Sequence, residues 1–126
     1  METYHLDTNF LIALSCGEES SIHRAQKWLS TGKGLAVSAV VWTEFLTGPL
    51  EEEQIDRMKT LIDEIIPFDG EQAVLAADLF NHAGRAKALR MDAMIAAAAI
   101  ATKSPLATEN SADMKRFVSA GLKLLK

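Results

Sequence analysis

Four short segments of this chain place a polar or acidic group where an apolar run meets a turn or helix. HLDTNFLIAL carries Asp7 between two hydrophobic stretches, VVWTEFLTG carries Glu44, RMDAMIAAAAIA carries Asp92, and LATENSADMKRF carries Asn110 and Asp113. Three or four carboxylates within a few ångströms repel one another severely without a cation between them. Oxygen-only donors of this kind select a hard divalent ion, Mg²⁺ or Mn²⁺, over zinc. Each residue also has a local reading. Asp7 or Thr8 can cap the helix that follows, Asp92 can cap the helix it opens, and Asp113 can cap a last short helix or face solvent. Glu44 lies amid Val40, Val41, Trp42, Phe45 and Leu46, where a buried carboxylate needs a partner. Whether the fold gathers the four decides between these readings.

The elements that would gather them are legible from periodicity. Tyr4 to Leu6 reads as a short strand, and TNFLIAL after Asp7 as one or two helical turns. Ser20 or Ser21 can cap a helix in which Ile22, Ala25, Trp28 and Leu29 repeat at helical spacing, with Gly32 and Gly34 as punctuation. Leu35 to Ser38 forms the next strand and runs into a helix that carries Glu44. Glu51 to Ile62 is amphipathic with an acidic start that suits the helix dipole. Ile65 to Pro67 is a short strand, Glu71 to Ala83 a helix, Ala93 to Lys103 another, Pro105 to Thr108 a strand, and Leu122 to Leu125 a closing strand. Short strands alternating with longer helices predict an α/β fold: one domain over 1–126, with a parallel sheet of four to five short strands between helical layers. In such sheets ligands bind outside the carboxyl ends of the strands, where the four carboxylates fall.

Composition narrows the function further. With 126 residues, 48% of them hydrophobic and 24% charged, the chain suits one globular domain with a core of its own. The longest apolar segment, Ala93 to Ala101, is well short of the roughly 20 residues a membrane span needs. Glu2, His5 and Asp7 occupy the region where a secretory signal would be basic and then apolar, so the cytoplasm is the expected location. Cys16 is the only cysteine, which excludes an internal disulfide and a paired-thiolate zinc site, and His5, His23 and His82 lack ligand spacing. Neither GxGxxG nor GxxxxGK[ST] occurs, which disfavours nucleotide-dependent chemistry of those kinds. The net charge is −4, but it divides unevenly: 1–69 carry 5 basic and 12 acidic residues, and 70–126 carry 8 and 5. A basic C-terminal half can meet a polyanion despite the acidic total. Arg85, Lys87 and Arg90 before Asp92, with Lys115 and Arg116 after Asp113, are the candidates for phosphate contacts, and surface solubility is their alternative role. Trp28, Trp42 and Phe45 share helical spacing with other apolar residues, which favours core or interface over base stacking.

Taken in order and at their spacing, the four segments resemble PIN-domain ribonucleases, and in particular the toxin subunits of VapBC-type toxin–antitoxin pairs. The resemblance covers nearly the whole chain. It implies that Asp7, Glu44 and Asp92 are metal-binding catalytic carboxylates. It also aligns Thr108, Glu109 and Asn110 with a turn where many members place a fourth acidic residue. Asn110 departs from that pattern, and Asp113 is the favoured substitute as the fourth ligand, although Met114 follows it where the family commonly has an aromatic. Thr8, Asn9, Thr108 and Asn110 become polar supports of the site. The implied reaction is hydrolysis of RNA phosphodiester bonds with Mg²⁺ or Mn²⁺ as cofactor, by a homodimer that an antitoxin protein inhibits. The resemblance attributes the pairing and the antitoxin contact to the helices of Ser38 to Thr47 and Glu51 to Ile66. A competing reading is a catalytically weakened scaffold that binds RNA or protein. A phosphatase or phospho-receiver ranks last, because DTN lacks a second carboxylate and PLATEN lacks a lysine.

Overall fold

The computed structural model describes residues 2–125. Four parallel strands form the sheet: β1 (Thr3–Leu6), β2 (Gly34–Ser38), β3 (Glu64–Ile66) and β4 (Leu106–Ala107), in the spatial order β3-β2-β1-β4. His5 aligns with Ala36 on one side and with Leu106 on the other, so β1 is central. Strands covered on both faces need no polar alternation, and every residue of β2 is buried. Pro67 has no N–H to donate, and β3 ends one residue before it.

Among the described residues seven α-helices flank the sheet in an α/β/α arrangement. They are α1 (Thr8–Ser15), α2 (Glu19–Ser30), α3 (Ala39–Leu46), α4 (Glu52–Leu61), α5 (Gly70–His82), α6 (Arg90–Ala101) and α7 (Ser111–Met114). α1 contacts α2, α3 and α4, while α5 pairs with α6. The Ala-rich stretch lets α6 approach closely: Ala93 and Ala96 to Ala99 are all buried. Phe10, Phe45 and Phe117 supply the largest fully buried side chains. Trp28 packs edge-on against Tyr4, and Trp42 stacks on Phe45 with centroids 5.3 Å apart, so these aromatics serve the interior and its margin. Among the described residues no helix is long and apolar enough to cross a membrane.

The structure corrects several local expectations. Leu122 to Leu125 is not a fifth strand: only Leu124 bridges to Leu106, because the two-residue β4 offers no longer ladder. The N-cap of α2 is Glu18, not Ser20 or Ser21, and Ser21 is buried within the helix. α6 starts at Arg90, so Asp92 lies inside its first turn and does not cap it. Asn110, not Asp113, is the N-cap residue of α7. α4 turns Glu52, Glu53, Asp56 and Lys59 outward, whereas α3 exposes Leu46.

Candidate active site

Because all strands run parallel, their carboxyl ends share one edge. The strand order reverses at β1, with β2 and β3 on one side and β4 on the other, and a crevice opens at such a switch point. Asp7 follows β1 and Thr108 follows β4, which makes them neighbours there. Asp7 is buried and is also the N-cap of α1, with φ −75° and ψ 162°. Its Oδ1 accepts from the Thr8 N–H at 2.7 Å, and its Oδ2 accepts from the Thr108 hydroxyl at 2.6 Å. The helix cap and the candidate site residue are therefore the same side chain.

From Asp7 a hydrogen-bond chain spreads to two of the other acids, Glu44 and Asp113. The Thr8 hydroxyl donates to Glu44 Oε1 at 2.6 Å, tying α1 to α3 and giving Glu44 the partner its apolar surroundings require. On the other side the Asn110 N–H donates to Thr108 Oγ1 at 2.9 Å, and the Asn110 amide donates to Asp113 Oδ2 at 3.0 Å. Asn9 accepts the Glu109 N–H at 3.0 Å and so holds the loop after β4 against α1. All four predicted polar supports thus contact the acidic segments. Glu109, which the sequence did not single out, adds a further brace by accepting from buried Ser21 at 3.3 Å.

Asp92 differs from the other three acids. Among the described residues nothing donates a hydrogen bond to its carboxylate. Partial burial, followed by the charges of Asp7, Asp113 and Glu44, pushes its pKa from 3.8 up to about 6. Burial also raises the Asp7 carboxyl, opposed by its bonds from Thr108 and Thr8 and reinforced by the charge of Glu44. The fold has gathered four like charges at one sheet edge.

Among the described residues no three acidic, histidine or cysteine side chains stand close enough, as placed, to hold a single ion between them. The donor set nonetheless fits a hard cation. It is all oxygen, it is electrostatically unfavourable when empty, and Mg²⁺ commonly takes one or two carboxylates with water completing its shell.

The five predicted phosphate-contact residues are exposed, and among the described residues none forms an ion pair. Arg85 follows the C-terminal turn of α5, Lys87 lies in the 3₁₀ turn Lys87–Leu89, and Arg90 begins α6. Lys115 and Arg116 open the 3₁₀ turn Lys115–Ala120 after α7. Both groups neighbour the acidic segments in sequence, and neither contacts a carboxylate there.

A parallel α/β/α sheet with carboxylates gathered at its switch point defines a class of acidic-site α/β domains. The chain belongs to the PIN domain family, whose model matches residues 4–118. Solved structures agree in fold. VapBC2 from Rickettsia felis, bound to a promoter DNA fragment, superposes with a TM-score of 0.78 at 22% identity, covering 98% of this chain and 97% of that one. A toxin–antitoxin complex from Klebsiella pneumoniae gives 0.71 at 25% identity, covering 87% and 88%. DNA-bound VapBC from Salmonella typhimurium gives 0.77 at 18% identity, covering 99% and 98%. No curated protein matches the sequence.

Proposed function

We propose that this protein is a metal-dependent endoribonuclease, the toxin subunit of a toxin–antitoxin pair. The carrying observation is the chain of hydrogen bonds from Glu44 through Thr8, Asp7, Thr108 and Asn110 to Asp113, with the unpartnered Asp92 carboxylate beside it. Asp7, Glu44, Asp92 and Asp113 would hold Mg²⁺ or Mn²⁺. The ion would supply Lewis-acid activation of water and offset the phosphate charge. The chain's own residues do the rest. Thr108 and the Thr8 N–H orient the two oxygens of Asp7, the Thr8 hydroxyl orients Glu44, and Asn110 orients Asp113. Arg85, Lys87, Arg90, Lys115 and Arg116 would attract and position the RNA backbone.

The partner reading rests on the neighbours and on one surface. The Klebsiella pneumoniae neighbour is a toxin–antitoxin complex, and the Rickettsia felis and Salmonella typhimurium neighbours are VapBC proteins bound to DNA. An apolar groove of about 350 Å³ between α1, α2 and α4, lined by Leu14, Ile22, Leu29, Met58 and Leu61 with Arg57 at its margin, would receive an antitoxin segment. Exposed Leu46 beside half-buried Trp42 on α3 would contribute to a homodimer.

Asn110 at the usual fourth acidic position favours one alternative, a weakened scaffold that binds RNA without cutting it. Sequencing RNA ends after expression of wild type and Asp7→Asn separates the two. New ends with wild type alone support the nuclease. Equal ends in both, or purified wild type inert on RNA in Mg²⁺ and Mn²⁺, would overturn it.

A further inference from the structure

Between α5 and α6 lies a second pocket, of about 370 Å³, in the range of small-molecule sites. Its lining is mostly apolar, from Phe68, Phe80 and Met94, but Asn81, Arg85 and Arg90 also border it. Both guanidiniums lie over the same ring: Arg85 at 5.6 Å and Arg90 at 5.2 Å from the Phe80 centroid. Each distance is within cation–π range, yet the pair places two positive charges on one small ring with no acidic partner for either among the described residues.

Local folding accounts for part of this. α5 ends in a Schellman turn, with Gly84 at φ +86° and the Arg85 N–H donating to the Phe80 carbonyl at 3.1 Å. A contact between Arg85 and Phe80 accompanies such a turn. The turn does not require the left-handed backbone of Arg85 itself, at φ +62°, nor the approach of Arg90 from α6. Arg85 also donates to the Asn81 side-chain oxygen, which leaves the Asn81 NH₂ free to donate to a ring nitrogen or carbonyl of a base. An apolar lining, an amide at its edge and two cations resting on an aromatic ring suit a nucleobase and its phosphate, since a base is flat enough to take the cations' place on the ring and its phosphate pairs with them.

We propose that this pocket is a nucleotide subsite: one base of a bound RNA displaces the guanidiniums from the Phe80 ring and stacks there, and Arg85 and Arg90 turn to hold the adjacent phosphate. The inference rests on the ribonuclease reading and adds a second point of contact to it. Arg90 and Asp92 both lie in the first turn of α6, two positions apart and therefore on different sides of the helix. A strand crossing that helix end reaches the pocket and the acidic edge together, so the seated base belongs to a nucleotide flanking the scissile bond.

Titration of the full chain in EDTA with adenosine 5′-monophosphate, followed by amide chemical shifts, tests the pocket without any cleavage. Saturable binding is expected below about 5 mM, with shifts confined to α5 and the start of α6. Adenosine and inorganic phosphate should each bind about tenfold more weakly. Arg90→Gln and Arg85→Gln should weaken binding about fivefold, and Phe80→Leu about tenfold, the loss of one base stack. Lys27→Gln, an exposed cation elsewhere, should leave it unchanged. No saturation at 10 mM, or equal binding by the pocket variants and wild type, overturns the proposal. RNA cleavage keeps the two readings apart. If wild type cuts RNA and the pocket variants show the same KM, the subsite fails and the nuclease stands. If wild type cuts nothing, the nuclease fails and the titration still decides the pocket.

Discussion

Replacing Asp92 with asparagine should make the metal-free protein more stable. Moving a carboxyl from 3.8 to about 6 costs the folded state about 3 kcal/mol at neutral pH. The side chain is half-exposed, so solvent screening reduces that figure, and loss of a negative charge from the first turn of α6 takes back a further fraction. A net gain of about 1 kcal/mol remains, or about 3–5 °C in Tm for a domain of this size. The sign follows from proton linkage. A folded-state pKa raised above the unfolded one means that folding is penalised above pH 6 and progressively relieved as pH falls toward 3.8. Thermal unfolding in EDTA should therefore show Asp92→Asn ahead of wild type at about pH 7.5, with only about a third of the gap left at about pH 4.5. Saturating Mn²⁺ should reverse the order, since wild type gains about 2.7 kcal/mol at a hundredfold excess over Kd and the variant gains less. The reasoning is refuted if the Asp92→Asn variant in EDTA is no more stable than wild type near neutral pH, or if the gap does not change with pH.

Other substitutions address other parts of the structure. Thr108→Val keeps the shape but removes the hydroxyl that donates to Asp7 and accepts from Asn110; urea unfolding should show a loss of about 1–3 kcal/mol. Burial lowers the His5 pKa from 6.5 to about 4, so the unfolded chain takes up a proton first and stability falls by about 3 kcal/mol between pH 6.5 and 4. His5→Gln should flatten that slope in pH-dependent denaturation, exposing the opposite trend from Asp92. Lys103 sits left-handed, at φ +56°, in the Schellman turn that ends α6, where glycine is preferred. Lys103→Gly should raise stability by about 0.5–1 kcal/mol in thermal unfolding.

The sequence disclosed the order of elements and the acids at their junctions because both follow from local chemistry: apolar periodicity, caps, and a charge interrupting a hydrophobic run. Asp7 illustrates the limit of such reading. The local pattern favours capping, and the structure shows Asp7 capping α1 with one oxygen while the other accepts from Thr108 at the sheet edge. The Thr8 bond to Glu44 spans 36 positions and has no local signal, although Thr8 itself stands out as polar beside Asp7. Leu122 to Leu125 reads as a strand because apolar pattern reports burial, whereas ladder length depends on the partner strand. The Phe80 pocket is invisible in the sequence for a related reason. Phe80 reads as one more apolar residue on a helix face, and only the packing of α5 on α6 brings Arg85 and Arg90 to its ring.

The bond between Thr108 and Asp7 joins residues 101 positions apart, and that separation also sets a timetable. A ribosome adding about 5–20 residues per second takes roughly 5–20 s to pass from one to the other. The groove between α1, α2 and α4, by contrast, draws its lining from Leu14 to Leu61, all of it synthesised little more than halfway through that interval. Every residue that lines the groove is therefore synthesised before Thr108, the last partner Asp7 needs, so the surface that would take a partner and the acidic edge are separated in the order of synthesis as well as in space.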